Sequence, residues 1–192
     1  MNQTAIERLQ MAAQKFLFRS GNGITNYRNS QRREAWKNVE EWTQKIHIAT
    51  TPLECVEIVQ VAAALGSVEG DMAEAGVYMG GTAALILEAV PAKTMHLFDT
   101  FEGLPGSENQ FSQGEWAGSV DQVRSNLSQW SNRLEFHRGL FPKSAAGLEE
   151  KRFSFVHLDL DLYQSTIDAL NWFWPRMQIN GAILSHDYWQ SA

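Results

Sequence analysis

The first part of the chain places its apolar side chains at helical spacing. Residues 2–19 fit an amphipathic helix, and the segment from about 31 to 48 is a candidate for a second one. A further helix is predicted after Thr51, because Thr51 suits the N-cap, Pro52 the first helical position and Gly66 the position just past the end. We therefore expect this part of the chain to be helical.

Beyond this region, short apolar runs alternate with helical stretches. The runs are DMAEAG, TMHLFD, RLEFHRG, FSFVHLD and GAILSHD. The helical stretches lie at roughly 80–90, 118–130, 143–150 and 163–177. This alternation is typical of an α/β fold with a mostly parallel sheet and helices on both faces. Five runs predict five strands.

Composition limits the class of protein. The 192 residues are 44% hydrophobic and 20% charged, which suits one globular domain with a full core. A net charge of −6 disfavours a nucleic-acid partner. The single cysteine, Cys55, fits a reducing compartment, and the N-terminal residues resemble neither a signal peptide nor a membrane span. We expect a cytoplasmic protein with no membrane partner.

A glycine-rich turn, EAGVYMGGT, joins the first predicted strand to a helix. Exposed backbone amides and the helix dipole make such a turn a ligand site, although tight helix–strand packing is the alternative. A nicotinamide fingerprint needs glycine where this chain has Glu74 and Met79. Glu74 would repel a pyrophosphate but suits a ligand with positive charge. S-adenosylmethionine, with its ammonium and sulfonium groups, is such a ligand.

The second predicted strand ends in Asp99, 25 positions after Glu74. A carboxylate at this place can accept hydrogen bonds from both hydroxyls of a ribose. The alternative is an aspartate that caps a helix or orders a loop. Asp99 does not distinguish a dinucleotide from S-adenosylmethionine, so this distinction depends on Glu74.

The fourth predicted strand carries two carboxylates, Asp159 and Asp161, two positions apart. Alternate residues of a strand share a face, and two like charges side by side in an apolar layer are costly. A cation or open water is therefore expected beside them.

Four segments together resemble the macrocin O-methyltransferase (TylF-like) family of class I methyltransferases. They are AEAGVYMGGTAALI, HLFDTFEGLP, FVHLDLDLYQSTIDALNWFWPRM and NGAILSHDYW, and the similarity runs from about residue 50 to the C-terminus. The resemblance implies a Rossmann-like fold and methyl transfer from S-adenosylmethionine to a hydroxyl of a small molecule, a sugar or natural product, with a divalent metal such as Mg²⁺ or Mn²⁺. The predicted cofactor-binding residues are Glu74, Gly76, Val77, Tyr78, Gly80, Gly81, Thr82, Asp99, Thr100, Phe101 and Asp159.

The resemblance also implies a metal site formed by Asp159, His186 and Asp187, with Asp159 and His186 as catalytic residues. The family usually has two adjacent aspartates in this last motif, and here the first is His186. Imidazole favours Mn²⁺, iron or zinc over Mg²⁺, or His186 is instead the general base. His157 is a second candidate for a strut or a base, while Asp161 either caps a helix or supports the metal ligands.

We divide the chain into an N-terminal helical lid, residues 1–50, and a methyltransferase core, residues 51–192. Class I methyltransferases usually add two strands after the fifth, and this chain ends five residues after Asp187. We therefore expect a truncated form, an exposed fifth strand and a homo-oligomer. Two other functions stay open: a cofactor-binding domain with weak or lost catalysis, and a nucleotide-binding oxidoreductase. Glu74 and Met79 disfavour the oxidoreductase.

Overall fold

The computed structural model describes residues 30–108 and 110–186. The chain divides into two compact units, residues 1–34 and the residues from Ala35 onward. Of the first unit, the structure describes only residues 30–34, which begin a helix. The helix predicted over residues 2–19 lies outside the described residues, and the domain boundary at residue 50 stays a prediction.

The helices are α1 (Ser30–Thr43), α2 (Pro52–Ala64), α3 (Gly81–Ala89), α4 (Val120–Asn126) and α5 (Tyr163–Phe173). The strands are β1 (Asp71–Ala75), β2 (Met95–Asp99), β3 (Leu134–Arg138), β4 (Phe153–Leu158) and β5 (Met177–Ser185).

The strands form one parallel sheet in the order β3-β2-β1-β4-β5. The chain winds outward from β1 through β2 and β3, then returns to the other side of β1 as β4. The strand order therefore reverses between β1 and β4, where doubly wound sheets bind their ligands beyond the carboxyl ends. The predicted fold class and the number of strands are confirmed.

Apolar layers cover both faces of the sheet. On one face, α1 to α4 pack around strand residues such as Met72 and Phe155. On the other face, Ala169 and Phe173 of α5 pack against Phe153 and its neighbours. The prediction of helices on both faces is confirmed. None of the described helices is long and apolar enough to cross a membrane.

Helix α2 begins as its sequence predicts. Thr51 is the N-cap, Pro52 occupies the first turn, and the Glu54 carboxylate accepts a hydrogen bond from the Thr51 backbone N–H at 3.0 Å. This capping box satisfies a donor that the helix leaves without an intrahelical acceptor. It also fixes the direction of the Glu54 side chain.

Several predicted boundaries are wrong, among them the ends of the helices predicted over 31–48 and 118–130, which the structure places at Ser30–Thr43 and Val120–Asn126. The helix expected over 143–150 is only a 3₁₀ turn, Lys143–Ala145, because Gly147 follows with a left-handed φ of +87°. Helix α5 ends at Phe173, since Pro175 restricts the residue before it and lacks an N–H. Strand β5 begins at residue 177 rather than 181, with a register shift against β4, and ends before His186.

Candidate active site

Backbone hydrogen bonds continue beyond the strands and bring three segments together. The Gly76 N–H donates to β2 at 2.9 Å, the Asp159 N–H to β1 at 2.8 Å and the His186 N–H to β4 at 2.8 Å. These segments therefore lie side by side along the carboxyl edge of the sheet. The glycine turn and the two predicted catalytic residues share one site.

A cavity of about 230 Å³ opens at this edge. Among the predicted site residues, its walls include Gly76, Val77, Tyr78, Gly81, Thr82, Asp99, Thr100, Asp159 and His186. Glu74, Gly80 and Phe101 are not among the lining residues. The structure thus places most of the predicted residues around one space, while their roles stay predictions.

A glycine is required at position 76 because the ends of two strands come very close together at this edge of the sheet. Its φ of +87° is left-handed, and a Cβ added to it would lie 1.7 Å from the backbone oxygen of Asp159. No side chain fits there. The glycine therefore lets the first turn and the end of β4 meet directly beneath the cavity.

Glu74 lies fully buried at the end of β1. Its Oε1 accepts hydrogen bonds from Thr82 Oγ1 at 2.6 Å and from His157 Nδ1 at 2.9 Å. Burial raises the pKa of Glu74, and the nearby Asp159 carboxylate raises it further. The two hydrogen bonds lower it, but the pKa stays above its ordinary value. Glu74 Oε2 has no hydrogen-bond partner among the described residues. A buried acceptor without a donor lowers the stability of the folded protein until a donor, such as a group of a bound ligand, reaches it.

The Asp99 carboxylate organises the loops around it. Oδ2 accepts from the backbone N–H groups of Val77 and Tyr78 at 2.7 and 3.1 Å, and Oδ1 accepts from the Phe101 N–H at 2.7 Å. Asp99 thus combines the loop-ordering role that the sequence left open with a position in the cavity wall. It holds the glycine turn against the end of β2.

The imidazole of His186 contacts two carboxylates. Its Nδ1 lies 3.1 Å from Asp159 Oδ1, and its Nε2 lies 3.5 Å from Glu54 Oε2. Burial opposes ionisation of Asp159, but the hydrogen bond from His186 and the nearby rings of His157 and His186 outweigh it. The pKa of Asp159 therefore lies below its ordinary value.

Asp161 also lies in the cavity wall, where it adopts a left-handed φ of +59°. It precedes Leu162, the N-cap residue of α5, and the N–H of Tyr163 donates instead to Glu108 Oε2 at 3.0 Å. The N-cap position of α5 is therefore Leu162, and the role of Asp161 stays a prediction. Asp187 lies outside the described residues.

Sequence reasoning missed part of the cavity. Residues 47–50, between α1 and α2, and Trp116, in the loop before α4, line it. Tyr78 packs edge-on against both His47 and Trp116, with ring centroids 5.7 and 5.4 Å apart. Single aromatic residues in loops carry no local pattern, so only the fold brings them together. Glu54 was missed because a glutamate in the first turn of a helix gives no local sign of a contact with His186.

Comparison with known proteins identifies relatives of this chain. One is the 8-demethyl-8-(2,3-dimethoxy-alpha-L-rhamnosyl)-tetracenomycin-C 4'-O-methyltransferase of Streptomyces olivaceus, 31% identical over 154 residues, with 70% of this chain and 57% of the relative covered. Another is the demethyldecarbamoylnovobiocin O-methyltransferase of Streptomyces niveus, 28% identical over 190 residues, covering 85% of this chain and 71% of the relative. The chain thus spans little more than half the length of the first relative.

Solved structures share the fold. The O-methyltransferase NovP superposes with a TM-score of 0.66 at 24% identity, covering 76% of this chain and 69% of that one. An O-methyltransferase from Bacillus cereus in complex with SAH superposes with a TM-score of 0.59 at 16% identity, covering 91% and 71%. The sequence profile of the macrocin O-methyltransferase (TylF) family matches residues 48–192. The chain therefore belongs to the macrocin O-methyltransferase (TylF) family.

Proposed function

We propose that this protein is an S-adenosylmethionine-dependent O-methyltransferase that acts on a hydroxyl of a small molecule. The observation that carries the proposal is the meeting of the glycine turn, Asp99, Asp159 and His186 around one cavity in a chain of this family. Two relatives are named as O-methyltransferases of natural products, one of them at a 4'-hydroxyl. A sugar hydroxyl of a natural product is the acceptor class that we propose.

The residues around the glycine turn suit S-adenosylmethionine. Gly76 and its neighbours Val77 and Tyr78 line the cavity, and the turn precedes the N-terminus of α3. Glu74 supplies an unsatisfied hydrogen-bond acceptor beneath the turn. Asp99 lies in the cavity wall, which supports its proposed role as the partner of the ribose hydroxyls. When bound, the cofactor supplies a methyl group on a sulfonium, which passes to the acceptor oxygen as the carbon–sulfur bond breaks.

Asp159 is the residue that we propose to receive the proton of the acceptor hydroxyl. Its carboxylate lines the cavity, and His186 holds one of its oxygens at 3.1 Å. A fixed carboxylate within reach of the hydroxyl removes the proton as the new carbon–oxygen bond forms. The aromatic rings of Tyr78 and Trp116 offer apolar faces on which an acceptor ring can pack.

The divalent metal implied by the family stays a prediction that the described residues do not support. Among them, no group of three histidine, cysteine or acidic side chains converges on one point. One oxygen of Asp159, Oδ1, lies 3.1 Å from Nδ1 of the His186 ring. The described residues therefore do not fit a metal ion, and no step of the proposed reaction depends on one.

Calorimetry and a methyl-transfer assay test the proposal. We expect the wild-type protein to bind S-adenosylmethionine and S-adenosylhomocysteine, and to transfer a labelled methyl group to a member of a panel of natural-product glycosides. Asp159→Asn is expected to slow transfer by about 100-fold or more, with a smaller effect on S-adenosylhomocysteine binding. Asp168→Asn, in α5 and hydrogen-bonded to Gln164, is the matched control and leaves the rate unchanged.

The outcomes separate the alternatives. Absence of S-adenosylmethionine binding at about 1 mM, an affinity worth only about 4 kcal/mol, contradicts the proposal. Binding without transfer to any glycoside of the panel favours the cofactor-binding domain with lost catalysis.

A further inference from the structure

The His186 side chain separates two carboxylates that come from distant parts of the chain. Asp159 follows β4, and Glu54 lies in the first turn of α2. The two ring nitrogens of His186 face them at 3.1 and 3.5 Å. The backbone N–H of His186 donates to β4 at 2.8 Å, and Glu54 is fixed by its hydrogen bond from Thr51. Hydrogen bonds with backbone groups therefore fix the positions of both His186 and Glu54.

The surroundings offer few other positive charges. The described residues that line the cavity include no lysine or arginine, whereas Asp99, Asp159 and Asp161 all lie in its wall. Two carboxylates facing each other without a cation repel. The imidazole of His186 lies between them, with one ring nitrogen 3.1 Å from Asp159 Oδ1 and the other 3.5 Å from Glu54 Oε2. The sequence predicted a cation or open water beside Asp159, and among the described residues the group that occupies this place is the His186 side chain.

A divalent ion needs a different arrangement. Mg²⁺ and Mn²⁺ take oxygen-rich ligand sets, and the ligands must converge on a point that no protein atom fills. Here a five-membered ring fills the space between Asp159 and Glu54. Asp159 is thereby turned toward the ring.

We propose that His186 takes the place of a divalent cation in this protein, so that the site works without a bound metal ion. His186 is then a positioning residue that holds the Asp159 carboxylate in the cavity wall. The role of Asp159 in methyl transfer rests on the proposed function. The exclusion of the metal rests on the geometry of the described residues, which do not include Asp187, and is tested without any turnover.

Titration with Mn²⁺, followed by the loss of its free-ion electron paramagnetic resonance signal, tests the proposal. We expect wild-type protein to bind Mn²⁺ only weakly, with a Kd above about 1 mM. His186→Asp places two adjacent carboxylates at 186 and 187 and removes the ring, so its affinity is expected to rise by about tenfold or more. Adding Asp159→Asn to His186→Asp is expected to abolish this gain.

His47→Asp is the matched control, because His47 lies in the same cavity wall and is not a contact of Asp159. It is expected to leave Mn²⁺ binding at the wild-type level. Far-ultraviolet circular dichroism and thermal unfolding of each variant report that the fold is intact. Wild-type binding of one Mn²⁺ with a Kd below about 100 µM, lost in Asp159→Asn, overturns the proposal. A folded His186→Asp variant with no gain in affinity overturns it too.

Discussion

At the scale of single residues, Asp99 orders the loops around the cavity and is also the residue that we propose to meet the ribose. Its two oxygens accept three backbone N–H groups, two from the glycine turn and one from the loop after β2. Charge-assisted bonds of this kind are roughly twice as strong as neutral ones. The residue expected to meet the ribose is therefore also the residue that shapes the turn beside it.

Asp99→Ala is expected to weaken both functions. Loss of the carboxylate leaves three amide groups without their acceptor, which should lower the free energy of unfolding by about 2–4 kcal/mol. S-adenosylhomocysteine affinity should fall by about tenfold or more, because the charge-assisted bonds to the ribose are lost. Urea unfolding and calorimetry measure the two effects. Asp121→Ala, in the first turn of α4, is the control and should change binding little. An Asp99→Ala variant as stable as wild type contradicts the loop-ordering role.

At the scale of elements, the sequence predicted what depends on local pattern. The capping box of α2 was predictable because Thr51, Pro52 and Glu54 satisfy local rules, and the strands were predictable because buried parallel strands form apolar runs. The contact between His186 and Glu54 joins residues 132 positions apart in the sequence, and no local rule predicts such a pair. The missed turn at Gly147 has a local cause, a left-handed glycine within an otherwise helical pattern.

A histidine pair links β2 to β3 on the sheet. His96 Nδ1 lies 2.9 Å from His137 Nε2, and His96 Nε2 lies 3.1 Å from Asp71 Oδ2 on β1. Two neutral rings satisfy these contacts if each carries its proton on Nε2. Burial lowers the pKa of His137 to about 4, and the neighbouring His96 adds to the effect. Burial also lowers the pKa of His96, against its hydrogen bond to Asp71.

These shifts predict how stability depends on pH. Between the unfolded pKa of about 6.5 and the folded value, the unfolded chain binds more protons, so the free energy of unfolding falls as the pH falls. Wild-type protein should lose about 1–2 kcal/mol more than His137→Phe between about pH 7.5 and pH 5. Urea unfolding at both pH values measures this difference. His47→Phe, at an exposed histidine, should keep the wild-type dependence. Equal dependence in wild type and His137→Phe contradicts the prediction.

At the scale of the whole molecule, the position of β5 bears on association. Within the described residues, β5 pairs with β4 on one side and has no strand on the other. Its first half is irregular, since Asn180 has a left-handed φ of +66° and the register against β4 shifts there. Bulges of this kind hinder the pairing of an edge strand with a further strand. Ile179 in the same half is nevertheless 87% exposed, so the edge retains an apolar surface.

We expect the protein to self-associate through this edge, because an exposed apolar edge strand offers unpaired backbone groups to a second copy. Ile179→Lys places a charge on the edge and should weaken association by about tenfold or more. Since Ile179 is exposed, the substitution should change the free energy of unfolding by only about 0.5 kcal/mol. Tyr163→Lys, also exposed but located at the start of α5, is the control and should associate as wild type does. Sedimentation velocity measures each variant. A wild-type monomer at about 100 µM, a concentration that would populate any dimer with a tighter Kd, contradicts the prediction.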